Sequence, residues 1–464
     1  MGIYNDYQVN PAVLVWGNHT RARRLAQAIS QQQPVIWAAP EKPDYPITEF
    51  PGRTIWGRDL AYLRGQVGRF TIGLGPTPME ELEVGQIILV PFPARPILDY
   101  PDETSTTGKN LVFILSELGR GTYAEALSQL SALAVTNRVT VITDDVQVNF
   151  FEGEALYTEA RLRGVVFIRT DHPPVVTLKN NTPPVYEVQV FDPALGQEVL
   201  LTGDAVISPI PSSEAGGLPD CLNLSTTTDE LLTHYPGLTH REGILVFPDR
   251  EGVMTQKEEQ LVIRAMASQV AHLATGRIRT ELYYQVEADR CALCLTCYRL
   301  CPHQAIEMVK DDTCKNLYRE ACHIDPLACR GCGLCYAECP ARAITPLGQA
   351  ERIGPGPVIL ACENAVGAAA AQWPGPEKIR LFPCAGAIGL NDMLEAMETG
   401  SDVYVIACFQ AQCQHQHQNQ RAAARCRLLN RWLARMGLPE KIKFIKLSAA
   451  DRVETLAARM RDKK

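Results

Sequence analysis

Two stretches of the chain, CALCLTCYRLCP from Cys291 and CRGCGLCYAECP from Cys329, repeat one spacing, C-x2-C-x2-C-x3-C-P. Thiolates are soft ligands, and three of them at this spacing surround one iron-sulfur cube while the fourth, before proline, reaches across to the other. The spacing predicts two [4Fe-4S] clusters, one held by Cys291, Cys294, Cys297 and Cys339, the second by Cys329, Cys332, Cys335 and Cys301. C-x2-C pairs alone would suit tetrahedral zinc, but repeated triplets with both CP endings favour iron. Between the runs, Cys314 and Cys322 read as spare or structural thiols, with a third metal site as the alternative.

Four further cysteines fall at strand ends. Cys362 closes VILAC, Cys384 follows IRLFP, Cys408 closes DVYVIAC, and Cys413 ends the loop FQAQC. Open α/β sheets gather ligands at the carboxyl ends of their strands, so these four thiols are expected to converge. Such a set suits a [2Fe-2S] cluster; the competing account is four small buried hydrophobes. Cys426, with an arginine on either side, is left out of the set. His415 and His417, in QHQHQNQ, are assigned to an exposed helix start.

These ligands need a scaffold. All but one of the 16 cysteines lie at or beyond Cys291, dividing the 464 residues into a cysteine-poor front and a metal-loaded back. A net charge of -7 gives no footprint for nucleic acid. No secretory leader or membrane span is recognisable, so the chain is placed in the cytoplasm, where thiols are kept reduced and cysteines serve metals or redox chemistry.

The front alternates strands and helices. AVLVWG, a helical RARRLAQAIS and PVIWAA open a dinucleotide-binding unit. KNLVFILSELG begins a second, inserted unit that reaches RVTVITDD, and GILVFPD followed by a helix from about Lys257 to Leu273 returns to the first. The turn after the first strand keeps Gly17 but has His19 where close approach to a pyrophosphate calls for glycine. Gly17 and Asp249, after GILVFP, are the candidate FAD contacts. Bound FAD and a retained scaffold without cofactor both stand on these residues.

Two segments, Lys109 to Gly164 and about Asp204 to Ile344, resemble the A-type subunit of heterodisulfide reductase, through KNLVFILSELGRG, RVTVITDDVQVNFFEGEALYTEARLRGVVFIRTD and the helix leading into the double ferredoxin. From Val358 onward the chain is similar to the delta subunit of methyl-viologen-reducing hydrogenase, through the PC pair, DVYVIAC, the C-x4-C loop and KLSAADR. His19 departs from the pattern, as does Ala365, where the delta family carries a second cysteine of a C-x-x-C pair.

The resemblance implies an α/β protein of three parts. Residues 1–285 form a two-dinucleotide-binding flavoprotein-like front, with the inserted unit at about 106–200. Residues 286–350 form the double [4Fe-4S] ferredoxin, and 355–464 a small α/β [2Fe-2S] domain. The function implied is an electron-transfer subunit of a multi-subunit redox complex, with dehydrogenase, hydrogenase or reductase subunits as partners. The other readings are an autonomous NAD(P)H-dependent flavin oxidoreductase with a built-in ferredoxin and a mainly architectural subunit.

Overall fold

The computed structural model describes residues 3–47, 50–75, 79–91, 107–115, 120–150, 152–170, 172–208, 219–222, 224, 226–227, 230–231, 233–234, 237–248, 254–314, 316–347, 358–398, 402–409, 412–415 and 418–461.

After a strand at Ile3–Gln8 that pairs with Arg277–Leu282, the first sheet of the front is built from β1 (Val13–Trp16), α1 (Thr20–Ser30), β2 (Val35–Ala39), β3 (Arg53–Trp56) and β4 (Gln86–Leu89). Every residue of β1 and β4 is buried, as expected of parallel strands covered on both faces. In α1, Ala22, Leu25, Ala26 and Ile29 recur at helical spacing and form the face laid on the sheet. The inserted unit contributes β5 (Asn110–Ile114), α2 (Arg120–Leu133), β6 (Arg138–Thr143), α3 (Gly153–Leu162), β7 (Val166–Arg169) and β8 (Ala205–Ile207), a parallel sheet ordered β7-β6-β5-β8. The chain then returns through β9 (Ile244–Val246) to the first sheet, whose order runs Thr233–His234, Leu238–Thr239, β9, β4, β1, β2, β3.

α4 (Gln256–Val270) is fixed at its start by a capping box, in which Thr255 and Glu258 each accept from the other's backbone N–H. It packs on α1, and a buried ion pair, Arg21 Nε to Glu259 Oε2 at 2.9 Å, joins the two helices.

Two antiparallel three-stranded sheets, at 59–84 and 175–203, interrupt the parallel pattern. The first carries the front onto the cysteine-rich part. Gln66 Nε2 donates to the Gln304 carbonyl at 2.7 Å, and Arg69 pairs with the buried Asp325.

The cysteine-rich part consists of α5 (Thr296–Leu300), an antiparallel hairpin of β10 (Ile306–Lys310) and β11 (Glu320–Ile324), and α6 (Leu334–Ala337). The tail follows as β12 (Val358–Cys362), α7 (Glu363–Ala371), β13 (Lys378–Phe382), α8 (Leu390–Met397), β14 (Val403–Cys408), α9 (Gln418–Arg435), β15 (Ile442–Leu447) and α10 (Val453–Arg461). Its sheet is wholly parallel in the order β13-β12-β14-β15. From β12 the chain first goes to one side and then to the other, which opens a crevice at the carboxyl end of β12. Among the described residues no helix is long and apolar enough to cross a membrane.

Candidate iron-sulfur centres

The two cysteine runs build one loop twice. Leu293 and Leu295 flank Cys294 with φ of +49° and +58°, and Gly331 and Gly333 flank Cys332 with +65° and +73°. Left-handed residues at these places turn successive N–H groups toward one concavity, the backbone arrangement that serves many iron-sulfur sites. The second run requires glycine for a further reason. A Cβ at Gly331 would strike the Tyr283 ring at 2.7 Å, and one at Gly333 would meet Ala387 Cβ of the tail at 2.4 Å. After each Cys-Pro pair the repeat continues, with Gln304 and Arg342 at +52° and +50°. Ala305 N donates to Cys301 Sγ and Ala343 N to Cys339 Sγ, both at 3.3 Å. A backbone N–H aimed at sulfur favours its thiolate form.

The loops enclose two small apolar cavities. One is lined by Cys291, Cys294, Cys297 and Cys339 together with Cys322. The other is lined by Cys301, Cys329, Cys332 and Cys335. Each run thus gives three sulfurs to one cavity and its fourth to the other. Burial pushes Cys329 up to about 11, Cys332 up to about 12, and Cys335 well above the ordinary thiol range. A dry pocket of four thiols ionises when a metal supplies the compensating charge, so the donor set, its burial and its N–H···S bonds fit an iron-sulfur cluster.

In the tail, Cys362 and Cys408 are the last residues of β12 and β14, Cys384 follows β13, and Cys413 lies in the loop before α9. The crevice at β12 brings them together. The Cys362 thiol neighbours those of Cys384 and Cys408, and so does the Cys413 thiol, which brings the four sulfurs into one ring. These contacts hold Cys362 and Cys413 below the usual thiol range and raise Cys384 and Cys408. Cys426 is buried on α9 in the same core cluster of the tail as Cys362 and Cys408, and it is not among the cysteines that perturb the ring thiols.

The tail ring adjoins the second ferredoxin cavity. Cys332 and Cys384 belong to one small apolar cluster with Leu334 and Leu300. His303, two residues beyond Cys301, is buried with Nδ1 at 2.8 Å from the His240 carbonyl and Nε2 at 2.9 Å from His415 Nδ1. A carbonyl only accepts, so Nδ1 of His303 carries the proton and its Nε2 accepts from His415. Burial holds His303 far below its ordinary value, at about 3, so it is neutral. Arg425 of α9 completes the junction, with Nη2 at 2.7 Å from Glu338 and Nη1 on the carbonyls of Gly386 and Ile388.

In the front, Gly17 stands at the carboxyl end of β1, where a Cβ would lie 2.4 Å from the Val90 carbonyl oxygen. His19 caps α1 without a side-chain bond to the helix; its Nε2 lies 2.9 Å from the same carbonyl. Burial lowers its pKa, which leaves it neutral. The turn is therefore closed by the His19 side chain against the backbone just beyond β4. Asp249 lies outside the described residues.

Residues 358–463 match the family described as methyl-viologen-reducing hydrogenase, delta subunit, and residues 323–345 match the 4Fe-4S binding domain. The chain therefore carries a hydrogenase delta subunit-like domain and a 4Fe-4S binding domain. Indolepyruvate oxidoreductase subunit IorA of Methanothermobacter thermautotrophicus is 33% identical over 102 residues, 21% of this chain and 14% of that protein. Dihydromethanopterin reductase (acceptor) of Methanosarcina mazei is 37% identical over 71 residues, 15% of this chain and 26% of that protein. The chain thus spans about a seventh and a quarter of these relatives' lengths. Among solved structures, thioredoxin reductase of Lactococcus lactis aligns with a TM-score of 0.37 at 12% identity, over 58% of this chain and 98% of that one. LpdA of Mycobacterium tuberculosis aligns with a TM-score of 0.38 at 14% identity, over 57% and 72%.

Cys322, His303 and His415 are not legible from spacing as site residues. Setting CPHQAI beside CPARAI singles out His303, which stands where the other copy has Ala341. His415 lies in a half-buried loop and not at an exposed helix start, since α9 begins three residues later.

Proposed function

We propose that the protein is an iron-sulfur electron-transfer subunit in which two [4Fe-4S] clusters and one [2Fe-2S] cluster form a single line. The observation that carries this reading is the contiguity of the three cysteine sets: the two ferredoxin cavities exchange ligands, and the second touches the tail ring through Cys332 and Cys384. Such clusters, when bound, take up and release single electrons without making or breaking substrate bonds. The residues of the chain hold them close, keep water out and present the ends of the line. Cys294 is exposed at one end, whereas the tail ring lies at the carboxyl ends of the tail strands at the other. Heterodisulfide reductase-like and hydrogenase- or dehydrogenase-like subunits are the partners this arrangement suits.

A binuclear cluster suits the tail better than zinc does. Tetrahedral thiolate zinc, with bonds of about 2.3 Å, requires all four sulfurs to lie mutually within roughly 4 Å. What supports the binuclear reading is that Cys362 and Cys413 each neighbour Cys384 and Cys408, in a domain similar to the hydrogenase delta subunit and beside the second ferredoxin cavity.

FAD in the front is the finer part of the proposal. Gly17 gives the tight turn, but His19 supplies neither the open backbone nor a positive charge for a pyrophosphate, so the line does not depend on flavin. Denaturing release and fluorescence detect the flavin directly.

The reading is tested in the assembled complex with Cys408→Ser. Both cubes should keep their spectra while electron flow to the partner at the tail falls at least tenfold; undiminished flow shows that the tail is not on the route. Reduction of the isolated protein by NAD(P)H would favour the autonomous flavin oxidoreductase.

A further inference from the structure

The first ferredoxin cavity contains five cysteines and the second four. The extra one, Cys322, sits on β11 opposite Met308 of β10 and is 3% exposed. The hairpin fixes its position, and its thiol lines the same cavity as Cys297 and Cys291 and lies beside both. The terminal sulfurs of a cube point to four separate corners and are kept apart by the width of the cube itself. A fifth thiol beside a ligand sulfur is therefore within reach of that ligand's corner.

We propose that Cys322 is a reserve ligand of the first cube, able to take the iron corner of Cys297, its buried neighbour in the cavity. The proposal rests on the reading of two [4Fe-4S] clusters given above. The exchange is redox-neutral: the bond from iron to the Cys297 sulfur breaks, that sulfur takes up the proton released by Cys322, and the Cys322 sulfur forms the new bond. The iron oxidation states are unchanged and no co-reactant is needed. The second cube has no such reserve, because its cavity offers no fifth thiol among the described residues. Cys294 differs from Cys297 in being exposed, with its sulfur on Thr296 Oγ1 at 3.4 Å.

The test uses the full chain, purified anaerobically as wild type, Cys297→Ala, Cys322→Ala and the double variant. Iron, acid-labile sulfide and Mössbauer spectra are read for each. Cys297→Ala and Cys322→Ala should each retain the wild-type iron, and the double variant should lose one cube, about four irons. Loss of the first cube from Cys297→Ala as complete as from the double variant overturns the proposal. If Cys297→Ala also loses the second cube, and so has not folded, Cys322→Ala decides. The potential and reduced EPR signal of the first cube should then shift, since a thiol in contact with a ligand sulfur has been removed, and identical values overturn the proposal. Wild-type protein lacking the first cube would instead sink the underlying reading of two cubes.

Discussion

At the scale of single residues, the cysteines separate into those in contact with one another and those that are not. Cys426 is buried, and its thiol is pushed up to about 12 by that burial, with Arg425 and Arg427 opposing the rise and no ring cysteine among the causes. Cys426→Ser should leave the iron content unchanged and lower the unfolding free energy by about 1–3 kcal/mol, because a hydroxyl is placed in an apolar core. Chemical denaturation beside an iron assay checks both halves. His19 allows a prediction with pH. Its folded pKa lies below its ordinary value, so as pH falls through about 6.5 the unfolded state gains a proton that the folded state refuses. Stability should drop across that range, and His19→Asn should drop less between pH 7 and pH 5 in thermal melts. The cysteine spacing makes most of the ligands legible from sequence. Cys322 escapes it, because its relation to Cys297 depends on the register of a hairpin that no spacing rule encodes.

At the scale of elements, repeated loops and strand ends do the positioning. The parallel strands are readable from runs such as VLVW and VILAC because both faces are covered. The antiparallel sheets at 59–84 and 175–203 are not, since their exposed faces carry mixed polar and apolar residues without long hydrophobic runs. Gly333→Ala is the sharpest test of the loop repeat. It combines a left-handed backbone with a Cβ against Ala387, so it should cost at least about 1–2 kcal/mol and loosen the tail from the ferredoxin. Faster proteolysis between the two parts, with the first cube intact, is the expected result. For α1 and α4, Glu259→Ala leaves Arg21 buried without its carboxylate, a change worth about 3–5 kcal/mol in unfolding experiments. Arg21 cannot be foreseen in this role, as its partner is remote in sequence.

At the scale of the whole molecule, the front rests on the ferredoxin through Gln66, Arg69 and the His240 carbonyl, and the ferredoxin rests on the tail through His303, Glu338 and Gly333. The order of the parts and the kind of metal each invites can be read along the chain, while the junctions arise from tertiary packing. His303 belongs to such a junction: Ala341 in the companion loop shows that the ferredoxin loop itself does not require an imidazole there. The central claim is the line of three clusters, and it is tested most directly by metal analysis with Mössbauer and EPR spectroscopy on the full chain purified without oxygen. Two cubes and one binuclear cluster predict about ten irons per chain, with a [2Fe-2S] signal that disappears in Cys384→Ser while both cubes remain. Stoichiometric zinc with little iron, or full iron with no binuclear signal, would contradict the account.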